Sequence, residues 1–212
     1  MGLPTASTDS TTLIVADTST VINLNATGCA ERIIRALPNK FVVVDFVPGE
    51  LDQGRSRGRP DADLLHELVA SGVIEIVALD EHGMAHFEKL VVGPAVLTLD
   101  DGEAATIAYA TTNKAIAVID ERKATRICAE MFPKLRICST VDILALPEVW
   151  RTLGKGALAE AVFQALVGGR MRVFPQHIGW VIGLIGSEKA SACTSLPASA
   201  RAPSPEPRAP CI

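Results

Sequence analysis

The chain has 212 residues, a hydrophobic fraction of 48% and a formal net charge of −4. That length fits one globular domain with some excess, and the apolar content supports a sizeable core without disulfide or metal staples. The acidic balance excludes a generally basic nucleic-acid coat and leaves room only for a local basic patch. Five cysteines, Cys29, Cys128, Cys138, Cys193 and Cys211, form no Cys-x-x-Cys pair. With only four histidines beside them, they read as the reduced thiols of a cytoplasmic protein. The stretch TASTDSTT lacks the basic-then-apolar order of a signal peptide, and no apolar run reaches the roughly 18 residues of a membrane span.

In chain order, LIVAD (13–17) predicts a short strand buried on both faces, because it does not alternate. A helical stretch follows through Val21–Leu24 and, after Gly28, through Cys29–Leu37, where Pro38 ends it. FVVV (41–44) is the second strand, after which Asp45 can cap a helix carrying Val47, Glu50 and Leu51. GRSRGRP (54–60) reads as a glycine-interrupted basic loop, and Asp61 as the cap of a helix ended by Gly72. VIEIVAL (73–79) alternates enough to be a more exposed strand, and a helix near 82–92 stops at Gly93 and Pro94. LDDGEAATIAYATTNKA gives an acidic first turn and an Ala-rich helix, and AIAVID (115–120) a strand ending on a carboxylate. ERKATRICAEMF is helical, LRIC (135–138) is a last strand, and helices near 140–146 and 154–167 follow.

Strands alternating with helices through short connections predict a parallel α/β sheet. The chain divides into a polar stretch over 1–11, one ordered domain over 12–186, and a Ser/Ala/Pro/Arg-rich tail over 187–212 expected to be disordered.

In an open parallel sheet, ligands bind beyond the carboxyl ends of the strands. Asp17 and Asp120 end two strands there, Glu50 lies about one turn into the helix after FVVV, and Glu103 lies in the first turn after Leu99. If those strands are neighbours, four carboxylates converge at one end of the sheet. Unpaired, they would repel and desolvate one another at considerable cost. A hard divalent cation, Mg²⁺ or Mn²⁺, resolves the conflict, and can activate a water and stabilise charge on a phosphodiester oxygen. Each acid alone also fits a plainer role. Asp17 and Asp120 can be helix caps, Glu50 a solvated helix face, and Glu103 a complement to a helix dipole.

Four segments in order and spacing, VADTSTVINL, VDFVPGEL, LDDGEAATIAYA and AVIDERKATRICAE, resemble the motifs of the PIN-domain ribonucleases. The likeness covers roughly residues 12–175 and is nearest to a bacterial and archaeal subgroup that includes VapC-like toxins of toxin–antitoxin modules. It implies a three-layer α/β/α sandwich around a central parallel sheet. It further implies a catalytic set of Asp17, Glu50, Glu103 and Asp120, with Asp17, Glu103, Asp120 and Ser19 at one or two Mg²⁺ or Mn²⁺ ions. Glu50 would hold a water shell or a second ion. Two departures stand out: Glu121 where the family pattern has aspartate, and Thr20 where it has proline. The activity implied is metal-dependent hydrolysis of RNA, in a toxin that forms a homodimer and meets a small antitoxin protein. A non-catalytic PIN-like domain that binds nucleic acid or protein is the alternative. A haloacid-dehalogenase-like phosphatase is disfavoured, because Ser19 stands where its second aspartate would be. Arg55, Arg57 and Arg59 near Glu50 are expected to meet RNA phosphates. His66, His82, His86 and His177 have no motif neighbours and are expected to be surface or core residues.

Overall fold

The computed structural model describes residues 12–55 and 58–201. Among them five short strands form one sheet: β1 (Ile14–Ala16), β2 (Phe41–Val44), β3 (Ile74–Val77), β4 (Ile116–Val118) and β5 (Arg136–Cys138). All neighbours are parallel, in the order β3-β2-β1-β4-β5. Val15 pairs with Val42 on one side and Ala117 on the other, which sets β1 at the centre.

Twelve α-helices are described: α1 (Thr18–Ala26), α2 (Ala30–Ala36), α3 (Phe46–Arg55), α4 (Asp61–Ala70), α5 (Glu81–Val91), α6 (Asp101–Asn113), α7 (Arg122–Met131), α8 (Thr140–Leu144), α9 (Pro147–Val167), α10 (Ile178–Ile185), α11 (Ser187–Ala192) and α12 (Ala198–Arg201). Because strand side chains alternate, the sheet builds two cores. Ile14, Ala16, Phe41, Val43, Ile116 and Val118 face α1, α4, α9 and α10, where Leu24, Leu65, Leu158 and Val181 meet them. Val15, Val42, Val44 and Ala117 face the opposite layer, with Leu90 of α5, Ile107 of α6 and Ile127 of α7. This is a three-layer α/β/α sandwich, and both faces of the sheet are covered, as the unbroken apolar strands require.

The chain runs outward from β1 to β2 and β3, then returns past β1 to β4. The strand order therefore switches direction between β1 and β4, the place where sheets of this kind bind ligands beyond the strands' carboxyl ends. Asp17 follows β1 and Asp120 lies two residues past β4.

Three expectations change. Pro60 takes the N-cap position of α4, and Asp61 is that helix's first residue, its carboxylate bonded to Arg59. The helix expected from 154 begins at Pro147, with a kink at Gly154, whose φ of 73° only glycine adopts readily. The stretch expected to be disordered from 187 contains α11 and α12, and buries Ala190, Cys193 and Leu196 in the first core. Sparse apolar residues among Ser and Ala concealed that packing. The polar stretch over 1–11 and the tail beyond 201 lie outside the described residues. No helix among the described residues is long and apolar enough to cross a membrane.

Candidate active site

Asp17 caps α1, and its carboxylate accepts from the Thr20 amide at 2.7 Å. The Ser19 hydroxyl reaches both of its oxygens, at 3.0 and 2.9 Å. The side chain is 1% exposed. Burial, and then the charge of Asp120, push its pKa from 3.8 up to about 7, against the opposing pull of those hydrogen bonds. Asp17 is thus at once a helix cap and a buried acid with a raised pKa.

Asp120 is equally buried, and its oxygens are committed. Oδ1 accepts from the Thr140 amide at 2.8 Å, while Oδ2 accepts from the Thr140 hydroxyl at 2.5 Å and from Asn23 Nδ2 at 2.8 Å. Burial raises its pKa, and these three bonds oppose the rise. Thr140 opens α8 in a capping box made by Ser139 and Asp142, and Asn23 lies on the inner face of α1. Sequence reasoning passed over both partners. The Ser-x-x-Asp box after LRIC, and a lone amide in the apolar run VINL, were the available signals.

Glu50, in α3, acts as a clamp. Oε1 accepts from the Gly102 amide at 2.7 Å, and Oε2 accepts from the Thr18 hydroxyl. It thereby joins the starts of α1 and α6, the helices that follow Asp17 and carry Glu103. Gly102 must be glycine for want of space: a Cβ there would lie 2.4 Å from Glu50 Oε2. Glu103 is half-buried. Burial, followed by the charges of Asp17, Asp100 and Glu121, pushes its pKa from 4.5 up to about 7, with Lys123 pulling the other way.

Asp17, Ser19, Glu50, Asp100, Asp101 and Glu103 line one cavity of about 600 Å³. Asp120 does not line it; it borders a neighbouring cavity with Arg122 and Arg172. The expected convergence of four carboxylates is corrected accordingly. Among the described residues no three His, Cys, Asp or Glu side chains are grouped to hold a metal ion. The physical reason is that Glu50 and Asp120 spend their oxygens on hydrogen bonds to elements distant in sequence, whereas the bonds to Asp17 come from its own turn, and the charge of Asp17 adds to burial in raising Glu103. Mg²⁺ binds through one or two carboxylates while keeping several waters. Two acids on one cavity wall, their pKa values raised chiefly by burial and further by neighbouring carboxylates, suit such an ion in chemistry and number.

The basic loop is less free than its composition suggested. Arg55 ends α3 and pairs with Asp52 at 3.2 Å and with Asp63, and Arg59 pairs with Asp61 at 2.9 Å. Arg57 lies outside the described residues. None of the histidines lines the acidic cavity. His177 is a core residue, 1% exposed, with Nε2 3.2 Å from Asp142 Oδ1.

A family model described as a PIN domain matches residues 13–187. No curated protein and no solved structure matches the chain.

Proposed function

The chain belongs to the PIN-domain family, a nuclease-type fold, and from that premise we propose that it is a divalent-metal-dependent endoribonuclease. One observation carries the reading: Asp17 and Glu103, both with pKa raised to about 7, line one cavity beyond the carboxyl end of the central strand β1. A bound Mg²⁺ or Mn²⁺ supplies water activation near neutral pH and stabilises charge on the leaving oxygen. Asp17 and Glu103 hold the ion. Ser19 fixes the Asp17 carboxylate through its hydroxyl, and Glu50 sets α6 so that Glu103 faces Asp17. Asp120, held by Thr140 and Asn23, adds negative field behind Asp17 without offering a free oxygen pair. The 54–60 loop remains in the proposal as a phosphate contact, through Arg57 and through Arg55 and Arg59 once they leave their aspartates.

The test is cleavage of labelled RNA by the purified chain in Mg²⁺, Mn²⁺ or EDTA, beside Asp17→Asn. Cleavage that needs the metal and is lost in the variant supports the proposal. Equal cleavage by the variant, or cleavage in EDTA, refutes it. The proposal extends to a toxin's role with a small antitoxin and a homodimer, on family likeness. Its check is a complex with the product of an adjacent small reading frame. A second reading, a non-catalytic interaction domain, draws support from the committed oxygens of Glu50 and Asp120. Metal-independent RNA or protein binding without cleavage would favour it.

A further inference from the structure

Five carboxylates line the acidic cavity, and no lysine or arginine is among its lining residues. A polyanionic strand entering there needs cations close by. Beside Asp120 a second cavity of about 320 Å³ opens, lined by Arg122, Arg172, Phe174, Ser195 and Pro197. Its volume sits at the lower end of the roughly 300–1,000 Å³ typical of small-ligand sites. The residues of the two cavities are near enough to feel one another's charge: Asp120 raises the pKa of Asp17, and Glu121, next along the chain, raises that of Glu103.

The lining combines the parts that unpaired nucleotides use. Arg122 is exposed at the first position of α7 and has no ion pair among the described residues. Arg172 is also exposed, and its guanidinium pairs with Glu121. Phe174 is half-buried, leaving part of its ring on the cavity wall. Guanidinium groups bind phosphate as forked donors, and an aromatic face stacks any base. Arg55 and Arg59, like Arg172, are paired with neighbouring carboxylates, so Arg122 is the one of these four without an ion pair among the described residues.

We propose that the cavity beside Asp120 is a nucleotide subsite. It takes one unpaired nucleotide of the substrate strand next to the scissile bond, with Arg122 and Arg172 on the phosphate and Phe174 against the base. The proposal rests on the nuclease reading for the identity of the strand. Glu121 competes with that phosphate for Arg172, so its neutralisation strengthens binding.

The test is fluorescence anisotropy of a labelled single-stranded oligoribonucleotide with the full chain in EDTA, across a salt series. Each phosphate neutralised on a single strand contributes roughly 0.7 to the slope of log K against log salt, so losing the one phosphate that both arginines hold, in Arg122→Ala with Arg172→Ala, lowers it by about 0.7. Phe174→Leu, which keeps most of the packing volume, weakens binding by about fivefold or more with little change in slope. Glu121→Gln binds more tightly than wild type. Circular dichroism melts establish that each variant is folded. Unchanged affinity and slope in a folded double-arginine variant, no binding by wild type, or preference for a duplex would each overturn the subsite. Metal-dependent cleavage alongside unchanged binding in that variant would remove the subsite and keep the nuclease. Arginine-dependent binding without cleavage would do the reverse.

Discussion

Gly102→Ala tests the clamp that orders the acidic cavity. The added methyl would lie 2.4 Å from Glu50 Oε2, 2.8 Å from Cδ and 2.9 Å from Oε1, closer than real contacts allow. Glu50 must therefore leave, and with it go the bonds from the Gly102 amide and the Thr18 hydroxyl. A hydrogen bond to a charged group contributes about 1.5–3 kcal/mol when buried, and half-burial of Glu50 places these two at the low end. Against that loss, alanine favours a helix over glycine by about 1 kcal/mol. The net cost is about 2 kcal/mol, a fall of roughly 4–8 °C in Tm for a chain of this size. Thermal melts by circular dichroism measure it. In a Glu50→Ala background the obstruction is gone, so Gly102→Ala becomes neutral or stabilising. An equal penalty in both backgrounds would refute the clamp.

The remaining expectations concern the acids and their supports. Folding raises Asp17 from 3.8 and Glu103 from 4.5, each to about 7. Over that window the folded chain binds more protons than the unfolded one, so stability without metal falls as pH rises from about 4 to about 7. Below the window both states are protonated and these groups contribute nothing. Urea denaturation in EDTA at about pH 5 and about pH 8 checks the sign, and equal or greater stability at the higher value would contradict it. For the same reason Asp17→Asn should be more stable than wild type in mildly alkaline EDTA, and less stable than wild type once Mn²⁺ is added in excess. Thr140→Val removes the hydroxyl bond to Asp120 Oδ2 and should cost about 1.5–3 kcal/mol in a urea melt; no loss would mean that bond is replaceable. Gly169→Ala would set a Cβ 2.6 Å from Asn23 Oδ1 and 2.9 Å from the Ala165 carbonyl. It should lower Tm and slow RNA cleavage together, since Asn23 holds Asp120.

Much of this architecture was legible in the residues. Apolar runs such as LIVA and FVVV can only be buried on both faces, and a parallel sheet follows. Carboxylates at their ends pointed to that end of the sheet. The division of labour among the acids was not legible. Glu50 looked like a member of the metal set, yet its partners Thr18 and Gly102 lie 32 and 52 positions away. Asp120 likewise meets Asn23 across 97 positions. Such pairings are set by how α1, α3, α6 and α8 pack, which no local pattern encodes. The basic loop misled for a nearer reason: Asp52 stands three residues before Arg55, Asp63 eight after it and Asp61 two after Arg59, so acids close in sequence pair with these arginines. The packed stretch from residue 187 escaped because its buried residues, Ala190, Cys193 and Leu196, are too few and too scattered to form a helical stripe.

Which carboxylates hold the ion decides the chemistry. Gln at position 50 keeps an oxygen for the Gly102 amide and offers its own amide to the Thr18 hydroxyl, so the clamp survives without the charge. The Mn²⁺ dependence of RNA cleavage across Asp17→Asn, Glu103→Gln and Glu50→Gln is therefore the most direct measurement. The account predicts that the first two abolish metal-dependent cleavage, while Glu50→Gln retains it with a similar Mn²⁺ requirement. Loss of cleavage in a folded Glu50→Gln variant, with activity surviving in Asp17→Asn, would contradict it.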